Sequence, residues 1–433
     1  MRTIKFCTLG CKINQYDTQA IREQFECLGF REVKDSLLAE VCVVNTCTVT
    51  HRADRDSLYA IRRLNRENPN ARIIVTGCMA QIDADKIKAI SGVSLILKNQ
   101  DKGRIASFVN NLTGNQQPSA DNRQPATTNQ SGITYFKNHS RAFLKIQDGC
   151  NYSCSYCKVR LVRGKSRSRS LSEIRQEAQN LIKNGYCEIV LCGVCLGSYG
   201  KDLSPKLSLV KLVKELEKIK GNFRIRLSSI EAGEITTQLI KILAGSQKLC
   251  RHLHIPVQSG DNQILRRMNR TYSRARYIKL IRRIQKDIPG ISITLDVMVG
   301  FPGETEANFM NTVRLIKEIS PLRIHIFPYS RRKNTPAYNF SELVSGKEIK
   351  LRTTFLKKLG QDSRNAYCQG FISKKHRVLI EGLVDGCFDL WQGHTGNYIK
   401  VRIKSSLELK NRIVKAKLKK VYSDFVLADL CRV

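Results

Sequence analysis

The sequence predicts an α/β protein of several domains: an N-terminal open parallel α/β sheet, a central partial (βα)6 barrel and a C-terminal small β-barrel. Three observations predict it. β-rich runs alternate with helical ones through residues 1–111. Six strand–helix units follow in series through residues 135–365. Residues 366–433 then change to short strands, with 13 Lys+Arg against 6 Asp+Glu. A chain of 433 residues is too long for one ordinary domain. Its net charge of +37, from 74 Lys+Arg and 37 Asp+Glu, points to a polyanionic partner, nucleic acid ahead of an acidic membrane surface. No tripartite signal pattern opens the chain, and no run of 18 apolar residues occurs. A cytoplasmic monomer with no membrane partner is therefore expected. In a reducing compartment, sixteen cysteines are more often metal ligands or catalytic groups than disulfides.

The N-terminal elements come first. TIKFCTLG, EVCVVNTC and ARIIVTGC read as parallel strands, followed by Cys11, Cys47 and Cys78. Between the first two lies DTQAIREQFECLG, with Ile21, Phe25 and Leu28 at i, i+4, i+7, Asp17 as its cap and Gly29 as its stop. Residues 112–134, rich in Asn, Gln, Pro, Ser and Thr, read as a linker. The six barrel strands are RAFLKIQDG, CEIVLCG, FRIRLSS, RHLHIPV, SITLDVMVG and RIHIFPY. Their carboxyl ends are where a barrel carries its active site. His252 and His254 lie on the fourth, and only one is expected to face inward. HRVLIEGLVD, YIKVRIK and VYSDFVLADL read as strands of the terminal barrel, which is a nucleic-acid module or a structural cap.

The chemistry is carried by cysteine. GCNYSCSYC, residues 149–157, follows the first barrel strand and sets Cys150, Cys154 and Cys157 at C-x3-C-x2-C. Three thiolates hold three corners of a 4Fe–4S cubane and leave one iron open. An open iron can chelate the amine and carboxylate of S-adenosylmethionine (SAM), and one electron then breaks its sulfonium C–S bond. The competing readings are a zinc site completed by a distant residue such as His139, and three unrelated buried cysteines. Cys11, Cys47 and Cys78 each follow a parallel strand, so topology sets them along one sheet edge, where α/β proteins bind ligands. They converge on a second cluster there, or they pack as small hydrophobes. Cys7, Cys27 and Cys42 read as core, Cys187 as packing, and Cys195 has no assignment.

These motifs together resemble the methylthiotransferases of the radical SAM superfamily, over nearly the whole chain. TLGCKINQYD, VVNTCTVT and VTGCMAQ resemble the three N-terminal cysteine motifs of that family, and DGCNYSCSYC with VRGKSRSR its SAM-cluster loop. LSSIEAGEI, HLHIPVQSGDNQILRRMNR, VMVGFPGETE and FPYSRRKNTPA resemble its later barrel segments, and GHTGNYIKV its TRAM domain. The resemblance implies a radical SAM barrel, a TRAM domain and two 4Fe–4S clusters. One would sit on Cys150, Cys154 and Cys157, the other on Cys11, Cys47 and Cys78. GCKINQYD resembles the branch acting on N6-threonylcarbamoyladenosine at tRNA position 37. It implies the tRNA anticodon stem-loop as substrate and a reductase as electron donor. Arg160, Cys195, Arg331 and Asn334 depart from the family's usual residues, but none is an expected ligand.

Further sites follow from position and resemblance. Gly193, Ser228, Ser229 and Glu231 end barrel strands and are assigned to SAM, as is Arg163 for its carboxylate. VGFPGE is read as a backbone platform for adenine. Arg167 and Arg169, in a loop with six basic residues and no acid, are assigned to RNA phosphates. Asn397 and Tyr398 are assigned to an unpaired base, with packing of the small barrel as the alternative for Tyr398. The alternative functions are methylthiolation of isopentenyladenosine or of a ribosomal protein, and a non-enzymatic zinc protein that binds RNA.

Overall fold

The structure is a computed structural model that describes residues 2–34, 36–112 and 132–431. The chain divides into two compact units. The first holds Met1–Lys137, Asp148–Tyr152 and Cys157–Lys165; the second holds Asn138–Gln147, Ser153–Tyr156 and Ser166–Val433. Most of the expected linker lies outside the described residues. Its end does not: Ile133 is buried, and Thr134 donates its N–H to Glu23 at 2.8 Å within the first unit.

The first unit is a five-stranded parallel sheet. Its strands are β1 (Thr3–Thr8), β2 (Arg31–Glu32), β3 (Val41–Thr46), β4 (Arg72–Gly77) and β5 (Val93–Ile96), in the order 2-1-3-4-5. The VCVV and RIIV runs are buried on both faces, which is why they read as continuous apolar stretches rather than alternating ones. The helices that follow include α1 (Lys12–Cys27), α2 (His51–Glu67) and α3 (Cys78–Ile82). α1 starts five residues before its expected cap. Cys11 is the N-cap, and Asp17 is a buried interior residue with two cationic partners. The two short strands β2 and β5 carried no sequence signal strong enough to be expected.

All six expected barrel strands form in the second unit: β6 (Ala142–Lys145), β7 (Glu188–Cys192), β8 (Arg224–Leu227), β9 (His252–His254), β10 (Ser292–Val299) and β11 (Arg323–Pro328). They pair in parallel as two triplets, β6-β7-β8 and β9-β10-β11. Single bridges at Ile225–Leu249 and Ser229–His254 join the triplets, giving an open, partial barrel. His252 and His254 both reach the Thr294 hydroxyl, at 3.0 and 2.9 Å. Residues two apart in a strand share a face, so the expectation that only one points inward is corrected.

A long helix, Gly346–Gln369, runs through the expected domain boundary at 366. After it, β12 (Lys375–Leu383), β13 (Leu390–Thr395), β14 (Lys400–Lys404), β15 (Ile413–Val421) and β16 (Val426–Leu430) close a barrel in the order 12-13-14-16-15. Val378, Ile380, Trp391, Val401, Ile403, Leu418 and Val426 fill it, at alternating positions along each strand. Two arginines of β8 reach the end of β13 and the turn after it. Arg224 donates to the His394 carbonyl at 2.9 Å, and Arg226 to those of Thr395 and Gly396 at 3.2 and 3.1 Å. Between them Glu188 is fully buried. Burial alone would raise its carboxyl, but Arg226 and Arg224 hold it well below the usual range.

Candidate metal centres

In the first unit, three turns leave the carboxyl ends of adjacent strands. In an order of 2-1-3-4-5 the topological switch lies between β1 and β3, the place where open α/β sheets bind ligands. Cys11 follows β1, Cys47 follows β3 and Cys78 follows β4. The topology thus brings together three residues that spacing could not. Cys47 lies within electrostatic reach of both Cys78 and Cys11. Burial pushes the Cys47 thiol up to about 11 and raises Cys78 as well. The approach is tight. Gly10 has φ +98°, and a Cβ there would stand 2.9 Å from the Cys47 Sγ.

Charged groups are built in behind this edge. Arg163 is buried, with Nη1 3.1 Å from Asp17 and 3.0 Å from Asp148, and its Nη2 donates to Asn14. Lys102 is buried 2.8 Å from Asp17. Asn14 in turn donates to the Leu9 and Thr46 carbonyls at 2.7 and 3.0 Å. Arg163 was expected at the SAM carboxylate; the structure pairs it with these two carboxylates and Asn14, within electrostatic reach of the Cys78 thiol.

The three-cysteine loop holds its own thiols by short local contacts. The Tyr152 N–H points to Cys150 Sγ at 3.4 Å and the Val159 N–H to Cys157 Sγ at 3.5 Å. Gly149, at φ +74°, has room for no side chain, since a Cβ would fall 2.0 Å from the Lys165 carbonyl oxygen. In the second unit Arg270 donates to Cys154 Sγ at 3.4 Å and pairs with Glu231. Burial raises the Glu231 carboxyl despite Arg270 beside it. Sequence reasoning missed Arg270, although it ends the quoted segment ILRRMNR. It also missed Asn14 and Lys102.

The remaining expected residues divide. Gly193 follows β7, and a Cβ on it would stand 3.0 Å from Gln147 Oε1, which accepts the Cys195 N–H at 2.9 Å. Ser228 follows β8, with a buried hydroxyl that has no hydrogen-bond partner among the described residues. Ser229 bridges to His254 through its backbone. Arg167 is exposed. Arg169 is instead an internal ion-pair residue, 2.6 Å from Glu177 and 2.8 Å from the Lys145 carbonyl. Asn397 is buried and donates to the Tyr367 hydroxyl at 3.0 Å. Tyr398 lies against His252, His394 and Arg226, at 4.6, 5.0 and 4.5 Å. The geometry of both favours packing over a base contact. Arg160 occupies the first turn of α4 (Val159–Arg163), where a family proline would fit equally well. Cys195 is buried, with its Sγ 3.2 Å from Glu234 Oε2 and 3.3 Å from the Ser198 hydroxyl.

Among the described residues no three His, Cys, Asp or Glu side chains stand close enough to share one metal ion. A cubane asks for something else, one thiolate at each of several iron corners, and an all-thiol donor set suits iron–sulfur chemistry. The Gly10 cradle beside Cys47 and the unpartnered Ser228 hydroxyl fit groups held at the two places.

Residues 144–316 match the Radical SAM superfamily, and residues 3–98 match a family described as uncharacterized protein family UPF0004. A radical SAM methyltransferase, TsrM from Kitasatospora setae, aligns with a TM-score of 0.57 over 78% of this chain and 77% of its own, at 12% identity. Fold and loop therefore define a radical SAM protein, a class that implies a 4Fe–4S cluster and SAM. The chain is 38% identical to threonylcarbamoyladenosine tRNA methylthiotransferase MtaB of Bacillus subtilis, over 97% of this chain and 94% of the relative. It is 35% identical to the Thermotoga maritima protein of that name, over 94% and 96%. A tRNA-2-methylthio-N(6)-dimethylallyladenosine synthase of Clostridium tetani is 33% identical, over 96% and 93%. The chain belongs to the radical SAM methylthiotransferase family and is an enzyme that transfers a sulfur-containing group. Among the described residues no helix is long and apolar enough to cross a membrane.

Proposed function

We propose that the chain methylthiolates carbon 2 of N6-threonylcarbamoyladenosine at position 37 of tRNA. The observation that carries this reading is the 38% identity, over 97% of the chain, to a relative named for that substrate. The segment GCKINQYD supports the same branch. In this reading Cys150, Cys154 and Cys157 hold the SAM-binding cluster, and Cys11, Cys47 and Cys78 hold a second. When bound, the clusters supply one-electron reduction of SAM and a site for the sulfur that is methylated and transferred. An unactivated aromatic C–H bond offers no acidic proton to a base, which is why radical chemistry suits it.

The chain's own residues position and neutralise. Arg270, held by Glu231, offers a hydrogen bond and a positive charge to Cys154. Gly193 lets the strand end pass close against Gln147, and the Ser228 hydroxyl offers a hydrogen bond to bound SAM. Arg167, exposed beside the cysteine loop, takes an RNA phosphate. The tRNA anticodon stem-loop is the macromolecular partner, a reductase donates the electrons, and the enzyme works as a cytoplasmic monomer.

The test is mass spectrometry of tRNA nucleosides from cells lacking the gene, beside wild type. Loss of the methylthio form with accumulation of threonylcarbamoyladenosine is the expected result. Loss of methylthio-isopentenyladenosine instead would move the substrate to the branch of the Clostridium tetani relative. No change in either nucleoside, with both present in wild type, would overturn the tRNA reading and turn attention to ribosomal proteins.

A further inference from the structure

Two of the cations in the first unit stand against one thiol. Lys102 and Arg163 are 8% and 5% exposed, and both act electrostatically on Cys78. A buried cation is costly unless it is paired, and here the pairing is complete: Asp17 neutralises both, and Asp148 holds the Arg163 guanidinium from another side. A mere internal salt bridge would need one ion of each sign. This group orders two of each, drawn from α1, the turn Asn99–Arg104, α4 and the segment before the cysteine loop. Asn14 ties Arg163 to the carbonyls of Leu9 and Thr46, in the turn that leads to Cys11 and at the end of the strand that leads to Cys47. The guanidinium is thereby fixed relative to the turns that carry Cys11 and Cys47.

We infer that Lys102 and Arg163 are potential-setting residues: they raise the reduction potential of a 4Fe–4S cluster carried by Cys11, Cys47 and Cys78. The inference rests on the proposal that these three thiols hold a cluster. One-electron reduction adds one negative charge to the cluster. A buried cation nearby favours the reduced form. The carboxylates act in the opposite sense and hold the two cations in place.

The experiment uses the full-length chain with Cys150, Cys154 and Cys157 changed to Ala, so that only the N-terminal cluster is read. The protein is reconstituted anaerobically, and its midpoint is measured by dithionite titration followed by electron paramagnetic resonance. Lys102→Gln and Arg163→Gln are expected to move the midpoint to more negative values. Arg163→Lys is expected to restore part of the shift, and Asp148→Asn to move it the other way. Where Arg163→Gln does not fold, by circular dichroism and size-exclusion chromatography, Lys102→Gln and Asp148→Asn decide the matter. Folded, iron-loaded variants that titrate at the parent midpoint overturn the inference. A parent that takes up no iron–sulfur cluster overturns the cluster proposal itself, and this inference with it.

Discussion

The two cysteine sites solve one problem by different routes. Each sets a buried guanidinium, backed by carboxylate, near a thiol: Arg270, held by Glu231, donates to Cys154, and Arg163, held by Asp17 and Asp148, lies within electrostatic reach of Cys78. The proposed barrel site takes its three thiols from within nine consecutive residues, so its donors are set by sequence spacing. The sheet site takes them from three separate turns, so its donors are fixed by the strand order. A locally encoded site is exposed to damage within its loop. A topologically encoded one depends on the whole sheet and on close approaches such as Gly10 to Cys47.

The largest test separates the two sites by function. With two cubanes the intact chain carries about eight iron atoms, and either Cys154→Ala or Cys78→Ala is expected to leave about four. Cys154→Ala should reduce SAM cleavage to 5′-deoxyadenosine to background, by chromatography. Cys78→Ala should keep that cleavage and lose methylthiolation of tRNA. Loss of cleavage in both would break the comparison. Next in size is the ion pair in the barrel. Arg270→Met leaves Glu231 half-buried without its charge partner and should cost about 2–3 kcal/mol, read from chemical denaturation. The two glycines sharpen the contrast further. Gly10→Ala forces a residue into φ +98° beside Cys47 and should cost about 1–2 kcal/mol. Its iron loss should be confined to the N-terminal cluster, which a chain already lacking the loop cysteines would report.

The smallest effect is a pH dependence. Burial raises the Glu231 carboxyl above its ordinary 4.5, so the folded state binds this proton more tightly than the unfolded state does. Its contribution is fully present below 4.5 and is lost as pH rises through the raised value. One such group changes stability by at most about 1.4 kcal/mol per pH unit. Glu231→Gln should remove that segment of the stability profile.

Much of the fold was legible because β-branched runs such as CVVN and RIIV have one plausible fate, and because all six barrel strands sit between amphipathic helices. The strand LWQGHT was not legible: a central glycine and few β-branched residues hide it, although the closed barrel supplies its partners. The loop cysteines were legible from spacing alone. The partners of Arg163 were not, since Asp17 and Lys102 are remote in sequence and carry no periodic signal. Asp17 even looked like a helix cap, because an acid before an apolar run has that meaning unless a buried cation claims it. Asn397 and Arg169 looked like RNA contacts because a polar or basic residue in a loop is by default exposed. Each turns inward to one specific partner.

The arginine contacts from β8 to the turn after β13 have a consequence for anyone dissecting this enzyme. Arg224 and Arg226 are shared property: they neutralise Glu188 inside the large barrel and cap carbonyls of the small one. Deleting the C-terminal module would strip those donors of their acceptors and open a fully buried carboxylate to water. A truncated chain would thus be a damaged catalyst whatever the module recognises. Surface substitutions on the tail, with the seam left intact, are the cleaner way to ask what it recognises.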